Sequence, residues 1–162
     1  MKRLVPAVVL LTILGLLLLP AAPASAALKG SGDVVKAVPR QKALAAAVGQ
    51  RVTFEVSLAI APKWHLYAHG DTNFIGVDLV PDESFPLEEF DATYPAGEPG
   101  QFFGETVMMI AGSQVIKAEA VVPETLARGV HKVKLGLTVQ ACDDKTCLAP
   151  ASLPVELELT VK

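Results

Sequence analysis

The chain has 162 residues, 51% of them hydrophobic, with 14 Lys and Arg against 17 Asp and Glu for a net charge of −3. An acidic balance of this kind offers no electrostatic footprint for nucleic acid or for an anionic lipid surface. The length suits one domain with a core of its own.

The first residues, MKRLVPAVVLLTILGLLLLPAAPASA, place Lys2 and Arg3 before an apolar run from Leu4 to Leu19, then Pro20 and small residues ending in Ala24, Ser25 and Ala26. This is the three-part layout of a secretory signal peptide, with cleavage expected after Ala26. An uncleaved membrane anchor is the competing reading, because the run is near the lower length limit for spanning a bilayer. No cysteine adjoins the cleavage site, so a lipid anchor is not expected. Removal of residues 1–26 leaves 136 of the 162 and takes two cations and no carboxylate, moving the net charge from −3 to −5. No second long apolar run follows, so the mature chain is expected in the periplasm or secreted, without membrane insertion. Export puts both cysteines where disulfides form and persist.

Residues 27–48 read as a lead-in and edge segment, and 49–162 as the domain. DVVKAV at 33–38 is a short β-rich run. QKALAAAVGQ at 41–50 is Ala-rich enough for a helical turn, but it is short and stopped by Gly49, which makes it an edge segment. RVTFEVSLAI (51–60) and IGVDLV (75–80) follow as strands. Residues 81–101 hold Pro81, Pro86, Pro95 and Pro99, which cannot donate to a central ladder, and so read as a loop with at most one edge strand. TVMMIAG (106–112), QVIKAEAVV (114–122), HKVKLGLTVQ (131–140) and LPVELELTV (153–161) complete the set. In the last two, Val133, Leu135, Leu137 and Val139, then Val155, Leu157 and Leu159, face one way with polar residues between them. Short strands at intervals of about ten residues with turn residues between them imply an all-β fold, an antiparallel sandwich of immunoglobulin-like type.

The only two cysteines, Cys142 and Cys147, lie in VQACDDKTCLAP. If the flanking runs pair antiparallel, DDKT connects them and the cysteines oppose each other with Cα atoms about 4.5–5.5 Å apart, within disulfide range. Closing so small a loop stabilises by only about 2 kcal/mol, and a sandwich ordinarily links its two sheets through distant cysteines. The bridge is expected at a rim, where another protein's thiolate can reach the sulfurs. Asp143 and Asp144 disfavour a nearby thiolate and Lys145 favours it, so spacing alone leaves redox exchange and a structural staple both open. A metal is not expected. His65, His69 and His131 are the remaining strong ligands; the H-x3-H pair would be about 13 Å apart on a strand, and the soft pair Met108 and Met109 would point to opposite faces. No nucleophile elbow, phosphate-cradling loop or H-E-x-x-H is present.

QACDDKTCLAP at 140–150 resembles the signature of the N-terminal periplasmic domain of the thiol:disulfide interchange protein DsbD: a strand ending in Gln, a cysteine, a short acidic loop, a second cysteine, then proline. WHLY at 64–67 is similar to that family's aromatic strand, and GQFFG at 100–104 to its cap loop, in matching order over about residues 50–160. The resemblance implies an immunoglobulin-like fold and a reversible Cys142–Cys147 disulfide, reduced by a thioredoxin-like partner and reoxidised by passing electrons to other periplasmic thiol proteins. Cys147 would form the mixed disulfide and Cys142 resolve it, Phe102 with Phe103 beside it would cap the bridge, and Tyr67 would line the site. No cofactor is implied. The cysteine loop has four intervening residues where the family often has five, and Gly100 and Gln101 stand where acidic residues would flank the cap. The resemblance does not extend to the family's membrane electron-conducting and thioredoxin-like domains, so a separate polypeptide, such as a membrane electron transporter, is expected to supply electrons. The alternatives are a non-enzymatic interaction module with a structural disulfide, and copper(I) handling.

Overall fold

The computed structural model describes residues 29–71, 73–102 and 104–162; the expected signal peptide and Phe103 lie outside the described residues. Eleven strands form three sheets. The first has the order β1 (Val35–Pro39), β3 (Arg51–Ile60), β9 (Ser113–Val121), β6 (Glu88–Thr93), all antiparallel. The second has the order β2 (Ala43–Ala46), β11 (Ala151–Val161), β10 (Gly129–Val139), β5 (Asp78–Pro81). A smaller sheet joins β4 (His65–Tyr67), β8 (Glu105–Ala111) and β7 (Glu98–Phe102). Antiparallel pairing dominates; β2 alone among the described strands runs parallel to its neighbour, β11.

The two larger sheets enclose the core because their long strands alternate with period two. Val52, Phe54, Val56, Leu58 and Ile60 point inward from β3, Ile116, Ala118 and Ala120 from β9, and the inward rows of β10 and β11 complete the cluster. β10 and β11 form one long hairpin, in register from Gly129 opposite Val161 to Val139 opposite Ala151. Its far end is the segment holding both cysteines.

Residues 35–46, within the lead-in segment, supply an edge strand to each large sheet. The proline-rich stretch 81–101 holds two strands, β6 and β7, where the sequence allowed at most one. Both are sheet edges, and the prolines are placed accordingly. Pro86 and Pro95 fall between strands, while Pro81 and Pro99 sit on edges with a free side among the described strands, so no central ladder loses a donor. A bulge interrupts β6, with Glu89 at φ 49°. Tyr94 ties the following loop back to the sandwich: its Oη donates to Asp78 Oδ1 at 2.9 Å and accepts from the Leu79 N–H at 2.9 Å. Its ring stacks on His69 with centroids 3.9 Å apart.

Leu157 is buried among both sheets, whereas Val130 is 65% exposed. Leu157→Ala should therefore cost about 2–5 kcal/mol and Val130→Ala less than about 0.5 kcal/mol, a contrast that urea unfolding of the two variants would read.

Candidate functional site

The hairpin beyond β10 and β11 closes through its backbone first. Leu148 N–H donates to Ala141 O at 2.8 Å and Asp143 N–H to Thr146 O at 2.9 Å. Cys142 and Cys147 lie between those two bonds as a non-hydrogen-bonded antiparallel pair, the kind in which opposed side chains approach most closely. Their Cα atoms are 4.0 Å apart and the sulfurs are bonded. The turn itself is built by Asp143, whose Oδ1 accepts from the N–H groups of Lys145 at 2.9 Å and Thr146 at 2.8 Å. These bonds hold the Asp143 carboxyl below its usual range.

Ser31, fully buried, braces the base of the hairpin. Its hydroxyl donates to Ala149 O at 2.8 Å and accepts from the Ala141 N–H at 2.9 Å, and its own N–H donates to Ala149 O at 3.0 Å. One side chain from the lead-in segment thus fixes both legs of the cysteine segment.

On the other side, β4 pairs with Cys142 itself. His65 N–H donates to Cys142 O at 2.9 Å, and Cys142 N–H donates to His65 O at 3.0 Å. That exchange carries the small sheet against the disulfide and builds a second apolar cluster, separate from the main core, from Tyr67, Phe102, Val107 and Cys142, with Phe74, Met109 and Cys147 packed against it. Tyr67 stacks on Phe74 with centroids 4.4 Å apart, and Phe102 meets both rings edge-on at 5.8 and 5.3 Å. Met109 lies over β7 because residue 100 is glycine: a Cβ there would sit 2.6 Å from the methionine Sδ.

The two cysteines are not equally buried, contrary to a simple rim position. Cys142 is 0% exposed, whereas Cys147 is half-buried. Of the other residues singled out in the sequence, Tyr67 and Phe102 stand around the bridge, and Phe103 lies outside the described residues. Phe102 ends β7 beside a tight turn in which Gly104 takes φ +85°. His65 and His69 do not converge: His69 stacks on Tyr94, with Nδ1 3.1 Å from Val77 O and 3.5 Å from the Asp78 carboxylate. Met108 is exposed and Met109 half-buried on the other face.

His65 is the residue that sequence reasoning missed, having been weighed only as a metal ligand. Its ring meets Tyr67 edge-on at 5.7 Å and Phe102 at 6.2 Å. Alternation along WHLY was the available signal, since positions 65 and 67 share one face of a strand. Burial lowers the His65 pKa against the opposing pull of the Asp144 and Asp143 carboxylates. Burial, helped by Asp71, pushes the Tyr67 hydroxyl up to about 12.

Comparison with known proteins bears on this arrangement. A model of the family described as thiol:disulfide interchange protein DsbD, N-terminal, matches residues 34–158. Among solved structures, the N-terminal periplasmic domain of ScsB from Proteus mirabilis superposes with a TM-score of 0.54 at 12% identity, covering 78% of this chain and 45% of that one. The chain thus spans less than half the length of that ScsB chain, and the likeness bears on fold. The N-terminal domain of DsbD from Neisseria meningitidis, in the reduced form, gives a TM-score of 0.45 at 19% identity, covering 70% of this chain and 80% of that one. A search of curated proteins by sequence found no match.

Two outcomes follow from the site's geometry. Ser31→Ala leaves the buried Ala141 N–H without its acceptor, which should cost about 1–3 kcal/mol in urea unfolding and speed exchange of that amide. Folding lowers the His65 pKa from the ordinary value of about 6.5, so just below that pH the unfolded chain binds more protons than the folded one. His65's contribution to stability is therefore complete above about pH 6.5 and lost as pH falls through the folded value. Unfolding from about pH 7.5 to about pH 5 should show His65→Phe lacking that part of the slope.

Proposed function

Because the chain belongs to the family of the N-terminal domain of the thiol:disulfide interchange protein DsbD, we propose that it relays reducing equivalents between thioredoxin-like periplasmic proteins through a reversible Cys142–Cys147 disulfide. One observation carries the reading: a disulfide outside the main core, one cysteine fully buried and the other half-buried, under a cover of aromatic rings held by an edge hairpin. The activity is that of a protein-disulfide reductase. No cofactor is needed, because exchange proceeds by attack of a thiolate on a disulfide sulfur.

The difference in burial between the two cysteines supports a division of roles. A partner's thiolate reaches Cys147, and the mixed disulfide forms there; Cys142, buried beside it, is the leaving sulfur in that direction and the resolving sulfur in the other. Phe102, beside the β7–β8 turn, is the cap, and Tyr67 and Phe74 complete the wall. Phe103, its neighbour in sequence, is assigned to the same cap. An edge hairpin can shift without breaking the sandwich, so the cap excludes stray small thiols until a partner docks. Residues 1–26 would direct export, and a separate membrane electron transporter is the candidate source of electrons.

A purely structural bridge is the second reading. It is favoured by the complete burial of Cys142 and by a hairpin already held by Ser31 and Asp143. The reduction potential separates the two: equilibrated in glutathione buffers, an exchangeable bridge should have a potential above about −300 mV and a structural one below it. Incubated with a reduced thioredoxin-like protein whose own resolving cysteine is replaced and then quenched in acid, the oxidised domain should carry the mixed disulfide at Cys147, as peptide mass spectrometry would read. A mixed disulfide found at Cys142 instead would remove Cys147 from its role.

A further inference from the structure

Among the described residues, two buried side-chain polar atoms lack a hydrogen-bond partner, His65 Nε2 and Tyr67 Oη. Both belong to β4, and both side chains stand on the face that covers Cys142. His65 and Cys142 are directly opposed in a hydrogen-bonded antiparallel pair, an arrangement that puts opposed Cβ atoms about 5 Å apart on one face. A buried polar atom without a partner costs stability, so its presence at this spot calls for a chemical reason. The oxidised bridge gives these atoms little to bond to; the reduced pair gives them a thiol.

We propose that His65 is the base that takes the proton of the Cys142 thiol as Cys142 resolves a mixed disulfide held on Cys147. The inference rests on the exchange reading given above. In the step, Cys142 Sγ bonds to Cys147 Sγ while the bond from Cys147 Sγ to the partner's sulfur breaks, and the electron pair leaves with the partner's sulfur as a thiolate. The Cys142 proton passes to His65 Nε2 and from there to solvent or to the departing thiolate. Over the whole cycle the partner's disulfide is the oxidant and becomes a dithiol, while the two thiols of this chain become the bridge.

Among the described residues packed against Cys142, the others are poor candidates for this. Phe74, Phe102 and Val107 have no acid–base chemistry. Tyr67 stays protonated, its hydroxyl pushed up to about 12. Asp143 is occupied by two backbone donors that weaken it as a base. His65, by contrast, is kept neutral near pH 7 by burial, which outweighs the Asp144 and Asp143 carboxylates. Its ring is half-buried and lines an open cleft of about 600 Å³ with Glu98, Gly100, Met109 and Gln114, which gives the proton a way out. Glu98 is the remaining charged group on that side.

The test uses the reduced chain and the aromatic disulfide dithiobis(nitrobenzoate) in stopped flow. Attack by Cys147 releases one coloured thiolate, and resolution by Cys142 releases the second. Positioned bases contribute about a hundredfold or more to such steps, so His65→Gln should slow the second phase at least about tenfold at pH 7 while leaving the first within about twofold. In the wild type the second phase should fall only as His65 gains its proton at acid pH; in the variant it should climb with pH as the thiol itself ionises. A second phase within twofold of wild type at every pH overturns the role of His65 and leaves exchange standing. Absence of the two phases in the wild type overturns exchange and His65 together. Independent of any variant, the imidazole should titrate by NMR at different pH in the oxidised and reduced wild type, and identical titration overturns the assignment.

Discussion

Two backbone hydrogen bonds between His65 and Cys142 hold this structure's functional end together. They are made beyond the last paired residue of β10, where the long hairpin has left its sheet. By exchanging both bonds, β4 fixes which of its side chains face the sulfur, since an antiparallel register shifted by one residue would turn every side chain to the opposite face. Tyr67 then falls over Cys142, and β7 and β8, paired in turn to β4, bring Phe102, Val107 and Met109 to the same place. The seal over the bridge is therefore a product of one pairing, passed outward strand by strand.

Around that pairing the molecule divides into a fixed part and a part with fewer restraints. Ser31 satisfies groups on both legs of the cysteine hairpin with one buried hydroxyl, and Asp143 satisfies two amides of its turn. Both devices hold the cysteine hairpin by bonds that do not involve the sulfurs. The cover, in contrast, is carried on β7, an edge strand paired on one side only, and ends at a glycine-bearing turn. Fewer backbone bonds hold an edge, and local opening is drawn from such elements.

The energetic contrast between the two apolar clusters points the same way. The main core is filled by aliphatic rows and Phe54, and none of its members has a buried side-chain polar atom left unpaired among the described residues. The cluster at the disulfide contains Tyr67 and touches His65, whose orphan atoms a folding optimum would replace with phenylalanine or leucine. Buried polar atoms left unpaired at one spot among the described residues are the kind of local cost that marks a site shaped by chemistry.

Much of this was legible in the chain itself. Period-two alternation in RVTFEVSLAI, HKVKLGLTV and VELEL located the core strands, because burial on one face of a sheet writes directly into the sequence. The short span between Cys142 and Cys147 determined that they could oppose each other across a turn, since a hairpin of that length allows little else. What the chain could not disclose were features set by partners distant in sequence. Pro86, Pro95 and Pro99 read as a loop, yet β6 and β7 form there because edge strands tolerate a missing donor, and edge position is a property of the sheet. The unequal burial of the two cysteines, the brace from Ser31 over 110 residues to Ala141, and the placing of His65 opposite Cys142 were likewise decided only by the tertiary structure. Each depends on which strand arrives beside the hairpin, and local alternation carries no record of that.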